Sequence, residues 1–245
     1  MLELNSFPNK INAVVIGASG GIGQAFIKHL VECEKIANVY AFARGDILLN
    51  DPKITKGYID FNDEESIKGA AGNIDKPCHI IITATGILHD KNLAPEKTLR
   101  HLDAETMNKV MQVNFMGPAL VGKYFMPLLP RDEKSVFAVL SARVGSISDN
   151  QLGGWYSYRA SKAALNMFIK TASIEVARKH NQAVVIGLHP GTVETNLSEP
   201  FQGNVSKEKL FTPEHSTAQM LRVINNVTPD QTGSLMVYDE EIIAP

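Results

Sequence analysis

Short runs of apolar, often β-branched residues alternate along the chain with longer stretches whose apolar positions recur every three or four residues. The short runs predict strands at Ala13–Ile16, Val39–Phe42, His79–Thr83, Ser135–Leu140, Ala183–Leu188 and Ser234–Val237, with a weaker one near Tyr58–Ile59. Continuous apolar runs such as Ile80-Ile81-Ile82 suit strands covered on both faces, as in a parallel sheet. The longer stretches predict helices over Ile22–Glu34, Ala104–Leu129, Tyr158–Lys179 and Pro213–Asn226, with Asp103 as N-cap of the second. Strand and helix alternate throughout, which predicts an α/β chain with a doubly wound, mostly parallel seven-stranded sheet and helices on both faces. No repeat, low-complexity linker or break in composition divides the chain. One domain over 1–245 is therefore expected, with the polar, Pro- and Gly-containing segment 198–211 as a lid over a site.

The first predicted strand runs straight into Gly17-Ala18-Ser19-Gly20-Gly21-Ile22-Gly23, and a helix follows at once. Glycine is needed where the backbone bends sharply and where it must approach a pyrophosphate without a Cβ in the way. The helix start then offers free N–H groups and a partial positive charge to phosphate. A tight strand-to-helix turn alone would explain the glycines, but the strand before and the helix after favour a Rossmann-type dinucleotide site. About twenty residues further on, such a site carries an acidic residue for the ribose 2′-OH. Here the sequence reads Ala41-Phe42-Ala43-Arg44-Gly45, with no carboxylate until Asp46. Arg44 can pair with a 2′-phosphate, which points to NADP(H); the alternative is a solvated surface arginine.

Tyr158 and Lys162 lie four apart in Trp155-Tyr156-Ser157-Tyr158-Arg159-Ala160-Ser161-Lys162, so they share one helix face. An ammonium beside a phenol is expected to lower its pKa, letting the tyrosine donate a proton to a ketone oxygen or take it back. Tyr156 is the competing phenol, but the residue four beyond it is Ala160. The Tyr–Lys pair is common by chance on helices; joined to a dinucleotide turn it points to an oxidoreductase.

Composition adds mainly exclusions. The 245 residues carry a formal net charge of -2 with the two signs mixed, so no basic stripe supports nucleic-acid binding. Cys33 and Cys78 form no CxxC pair, and no histidine pair has metal-ligand spacing on a helix, so no metal is expected. The first ten residues lack the pattern of a signal peptide, and no apolar run approaches the roughly 20 residues of a membrane span. A cytoplasmic location is expected. His89 and His189 stand at strand ends facing the expected cleft, where a substrate contact competes with an ordinary structural or solvated role. Met107, Met111 and Met116 suit core or a subunit interface.

Together these residues resemble the short-chain dehydrogenase/reductases over essentially the whole chain. Gly17, Gly21 and Gly23 match the family's TGxxxGxG turn, with Ile16 in place of the usual Thr, and Tyr158 and Lys162 match its YxxxK motif. Asn114 resembles the helix asparagine that completes the family's catalytic tetrad and would hold a water for proton relay. Asp60, with Phe61 beside it, resembles the residue after the third strand that contacts adenine. Pro190-Gly191-Thr192-Val193-Glu194-Thr195 resembles the PGxxxT loop, whose Val193 and Thr195 positions would meet the nicotinamide carboxamide. The resemblance also implies that Ser19, Ile22 and Gly86 border the cofactor, and that Lys162 holds its ribose. The segments Gly145–Asn150 and Gly153–Lys162 and the ending Leu188-His189-Pro190-Gly191 look most like the C-factor-like group of carbonyl reductases.

Two departures stand out. The family's Asn-Asn-Ala-Gly after the fourth strand is here Thr83-Ala84-Thr85-Gly86. The family's catalytic serine, three residues before Gly145, falls on Ala142, leaving Ser141 as the stand-in and Ser146 as the alternative. The expected activity is hydride transfer between NADP(H) and a small carbonyl or alcohol substrate, with Tyr158 as general acid/base. A homo-oligomer, dimer or tetramer, is implied by the resemblance. The competing reading is a nucleotide-sensing or regulatory protein on the same fold, kept open by Ala142. An NAD-preferring dehydrogenase differs only at Arg44.

Overall fold

The computed structural model describes residues 3–204 and 206–245. The chain opens with β1 (Ile11–Ile16), α1 (Gly21–Glu32), β2 (Ile36–Ala43), β3 (Ile54–Tyr58) and α2 (Glu64–Gly72). β4 (Ile80–Thr83) then crosses to the other side of β1. It is followed by α3 (Ala104–Met111), α4 (Gly117–Phe125), β5 (Ser135–Leu140), α5 (Tyr156–Ala177) and β6 (Ala183–His189). A two-stranded ribbon, β7 (Thr192–Val193) with β8 (Leu210–Phe211), precedes α6 (Pro213–Asn226), β9 (Leu235–Val237) and β10 (Ile242–Ile243).

Among the described residues the main sheet has eight strands in the order β10-β9-β6-β5-β4-β1-β2-β3. All its pairs are parallel except that of β10 with β9. The doubly wound architecture is as expected, but the sheet has eight strands rather than seven. The added strand, β10, is two residues long, too short for any periodicity to announce it. The weak strand lies at Ile54–Tyr58, upstream of its expected place, because Val39–Ala43 of β2 pairs with that stretch.

Successive side chains of each central strand go to opposite faces, and both faces are covered. Ala13 and Val15 join the core under α1 and α6, with Phe26, Leu30, Leu221 and Ile224. Val14 and Ile16 join the core under α4 and α5, with Phe125, Leu165 and Ile169. Burying each large side chain contributes about 1.5–3 kcal/mol, so the two layers hold the strand ends in fixed relation. Among the described residues no helix is long and apolar enough to cross a membrane.

The helix expected over Ala104–Leu129 is broken. Gln112–Met116 forms a π-helical turn between α3 and α4. Pro118 has no N–H for the carbonyl of Asn114 four residues earlier, so a regular α-helical ladder cannot pass this point. Gly117 lets the Phe61 ring sit where a Cβ would be. The wider turn carries Asn114 inward, and it is wholly buried.

Candidate active site

The strand order reverses between β1 and β4, and in open α/β sheets ligands bind beyond the carboxyl ends of the strands at such a point. A cleft of about 730 Å³ opens there, with walls from Gly17, Ser19, Arg44, Asp60, Phe61 and Gly86. The turn after β1 is tied to its neighbours, with Gly17 and Ala18 N–H donating to the Phe42 carbonyl at 2.9 and 3.0 Å. Gly17 has a φ of +87°, and a Cβ on it would stand 2.6 Å from the Ala84 carbonyl oxygen. A Cβ on Gly23 would land on the Gly17 carbonyl. These two glycines therefore let the loops after β1 and β4 and the start of α1 close together. No side chain caps α1, whose N-cap is Gly20, so its first N–H groups remain for a ligand. Thr85 Oγ1, buried in the same wall, has no partner among the described residues. Glycines, uncapped amides and an orphan hydroxyl are the donor set that suits a pyrophosphate.

At the outer end of the cleft Arg44 is exposed and makes no ion pair among the described residues. The Asp60 carboxylate accepts from Asn62 N and Nδ2, both at 3.0 Å, which fixes it at the rim. At the inner end a Cβ on Gly86 would stand 3.6 Å from Asn114 Oδ1 and 3.9 Å from Lys162 Nζ. Asn114 holds this loop through its side chain: Oδ1 accepts from Ile87 N–H and Nδ2 donates to Ile87 O, each at 2.8 Å. Gly86 thus joins the cleft to the residues expected to carry chemistry.

On α5, Lys162, Leu165 and Ile169 are buried on one face, and Tyr158 continues that face to the helix start, half-buried at the mouth. The Lys162 ammonium donates to the Leu140 carbonyl at the end of β5, at 2.8 Å, and lies 5.8 Å from the centre of the Tyr158 ring. Burial pushes the Tyr158 phenol up to about 12 and the Lys162 ammonium down to about 8. The expected pull of Lys162 on the phenol toward neutrality is not what the site shows. Burial sets the direction of the Tyr158 shift, and the Lys162 ammonium is engaged by the Leu140 carbonyl.

The remaining expected residues fall into two groups. Gly21 and Ile22 start α1, and a Cβ on Gly21 would meet Thr195 at 3.4 Å, so the loop after β6 closes on the glycine turn. Within that loop the Pro190 carbonyl accepts from Ser216, Gly191 has a φ of +75°, and Val193 is buried in β7. The segment 198–211 contains a 3-10 turn at Glu199–Asn204, and its Phe201 ring packs on Trp155, 5.0 Å between centres. Val205 of this segment lies outside the described residues. Ser141 is not brought to Tyr158: its hydroxyl donates to Asn166 Oδ1 at 2.7 Å, further along α5. Ser146 instead accepts from Asp149 N–H at 3.1 Å within its own loop.

Sequence reasoning misses Glu96. This buried carboxylate accepts from both the amide and the hydroxyl of Ser157, and its carbonyl accepts from Trp155 N–H. Nothing local marks it, since it reaches α5 across 61 positions of chain. Lys109 and Gln112, also on the cleft wall, look in the sequence like ordinary polar positions of a helix.

With this geometry the kinship is plain: a family model described as short chain dehydrogenase matches residues 11–205. The chain belongs to the short chain dehydrogenase family. It is similar to 1-hydroxy-2-glutathionyl-2-methyl-3-butene dehydrogenase of Rhodococcus sp. (strain AD45), 28% identical over 92% of this chain and 96% of that one. It is also similar to C-signal of Myxococcus xanthus, 31% identical over 57% of this chain and 79% of that one. The NADPH-bound carbonyl reductase from chicken fatty liver superposes with a TM-score of 0.83 at 25% identity, covering 98% of this chain and 97% of that one. A dehydrogenase is among these relatives, and carbonyl reductases are among the structural neighbours.

Proposed function

We propose that this short chain dehydrogenase transfers a hydride between NADP(H) and a carbonyl or alcohol substrate, with Tyr158 as general acid/base. The observation that carries the reading is the junction at Gly86. There the dinucleotide cleft meets Lys162 and Asn114, one helical turn from Tyr158.

Gly17, Ser19, Gly21, Ile22 and Gly23 would hold the pyrophosphate, and Arg44 the 2′-phosphate. Asp60 and Phe61 would border the adenine, and Gly86, Pro190, Gly191, Val193 and Thr195 the nicotinamide end. The bound cofactor supplies or accepts the hydride. Tyr158 gives the carbonyl oxygen its proton as reduction proceeds and removes it in the reverse direction. Lys162, buried and cationic, steadies negative charge on the phenol oxygen, and Asn114 holds the Ile87 backbone and so the cleft's inner wall. Segment 198–211 closes over the substrate, its Phe201 on Trp155, within a single domain. Exposed Met107, Met116, Met167 and Ile174 offer α3–α5 a face for self-association. The buried free thiols Cys33 and Cys78 suit a reducing compartment such as the cytoplasm.

The second reading, a nucleotide sensor, is favoured by one observation: Ala142 offers no hydroxyl, and those of Ser141 and Ser146 are tied up. A panel of aldehydes and ketones with NADPH, followed by loss of nicotinamide absorbance, separates the two. Turnover of any member supports the enzyme; tight NADPH binding with no turnover across the panel supports the sensor.

A further inference from the structure

When hydride reaches a carbonyl carbon, the oxygen gains negative charge, and one donor rarely suffices to stabilise it. Tyr158 provides one. The wall made by the ends of β5 and β6, where Lys162 meets the Leu140 carbonyl, adjoins Tyr158 and offers a candidate for the second. Polar side chains on that wall or at the start of the loop after it are Ser141, Arg143, Ser146 and His189. Ser141 donates to Asn166, Ser146 is bonded to Asp149, and Arg143 is paired with Glu241 at 3.0 Å. The fourth is His189. Neither of its ring nitrogens bonds a protein group among the described residues, and Nδ1 is sealed from solvent.

The sheet register places this ring. Leu140 pairs with Leu188, and Ser141 N–H donates to the Leu188 carbonyl at 2.8 Å. His189 therefore stands one residue beyond the level at which Lys162 is anchored, toward the mouth, on the strand adjoining Ala142. Side chains at matched positions of parallel strands share a face, so His189 projects with Ser141 toward α5. Its charged surroundings are Arg143 and Lys162, which disfavour an imidazolium, and Asp239, which favours one. Burial, the largest influence, keeps the ring neutral well below physiological pH, pushed down to about 4. A neutral imidazole carries one N–H donor. Leaving the sealed Nδ1 unpaired costs stability, while Nε2, unpartnered among the described residues and not sealed, is the nitrogen left to meet a substrate oxygen.

We propose that His189 is the second hydrogen-bond donor to the substrate oxygen, a catalytic residue for this chain that stands in for a hydroxyl. No bond is made or broken at the ring; the proton still comes from Tyr158. The inference rests on Tyr158 being the acid/base, and the experiment keeps the two apart.

The variants are His189→Phe, His189→Gln and the double variant His189→Phe with Ala142→Ser. Each is assayed for kcat and KM on a carbonyl found in the panel, with NADPH affinity measured by fluorescence. His189→Phe should lower kcat by about tenfold to a hundredfold, as loss of an oxyanion donor does, with NADPH affinity within about twofold. His189→Gln, which keeps an N–H, should retain more of the rate than His189→Phe. Adding Ala142→Ser should recover rate in the His189→Phe background, because it restores a hydroxyl at the position where the family's catalytic serine falls. Full activity of His189→Phe overturns the proposal. So does a loss that appears equally in His189→Gln and is not rescued by Ala142→Ser, which marks a packing role. Should His189→Phe fail to fold, the His189→Gln and His189→Asn pair is compared with His189→Leu on the same criteria. Failure of the acid/base reading shows elsewhere, as an active Tyr158→Phe protein.

Discussion

The Glu96 carboxylate accepts from both the backbone amide and the hydroxyl of Ser157, the residue before Tyr158. It thereby caps the first turn of α5, whose N-cap, Trp155, is left-handed at φ 52° and gives no side-chain cap of its own. A carboxylate here also meets the positive end of the helix dipole. A long-range side chain, rather than the usual local Ser or Asp, fixes where Tyr158 stands.

Removing that cap should loosen α5 from its start. Glu96→Ala is expected to cost about 1–3 kcal/mol of stability, a fall of several degrees in melting temperature for a chain of this size. Glu96→Gln, which keeps the acceptor oxygen, should cost less. Thermal unfolding of both variants checks the order; equal stability of Glu96→Ala and the parent would remove Glu96 as the anchor of α5.

In the proposed function cofactor choice turns on Arg44, exposed and without an ion pair among the described residues at the cleft's outer end. NADPH should bind at least about tenfold more tightly than NADH, a difference of about 1.4 kcal/mol that one arginine–phosphate pair supplies. Arg44→Ala should abolish most of that preference while leaving NADH affinity nearly unchanged. Titration of nicotinamide fluorescence reads both constants, and equal affinities in the parent protein would refute the assignment.

Much of the fold and of the site is legible in the amino-acid sequence. Uninterrupted apolar runs such as Ile80–Ile82 mark doubly covered strands, and the glycine turn and the Tyr158–Lys162 spacing point to the two parts of the candidate site. What stays hidden depends on long-range partners or short lengths. α2 is nine residues with two glycines, and only Ile67, Ala70 and Ala71 of it are buried, too few to show a period. The break at Gln112–Met116 carries one readable sign, Pro118, inside an otherwise unbroken helical pattern. The destination of Ser141's hydroxyl depends on Asn166, and Glu96's role on Ser157, neither of which spacing along the chain reveals.

Under the proposed mechanism, protonation of Lys162 sets a pH limit on reduction. Its ammonium, pushed down to about 8 by burial, is present below that pH and lost as pH rises through it. The Tyr158 phenol, held near 12, keeps its proton over the same range. With NADPH saturating, the rate of carbonyl reduction should therefore fall above about pH 8, and Lys162→Met should be slow throughout and lose that descending limb. A rate–pH profile for both proteins is the check; an identical descending limb in the variant would assign the titration to another group.

The most direct test of Tyr158 as acid/base is Tyr158→Phe, which keeps the ring against Trp155 and removes only the hydroxyl. Steady-state reduction of a panel substrate is measured for parent and variant, with NADPH affinity and thermal unfolding recorded alongside. The expected result is unchanged folding and NADPH affinity with kcat lowered roughly a hundredfold or more. A Tyr158→Phe protein that folds, binds NADPH and turns over as fast as the parent would contradict it.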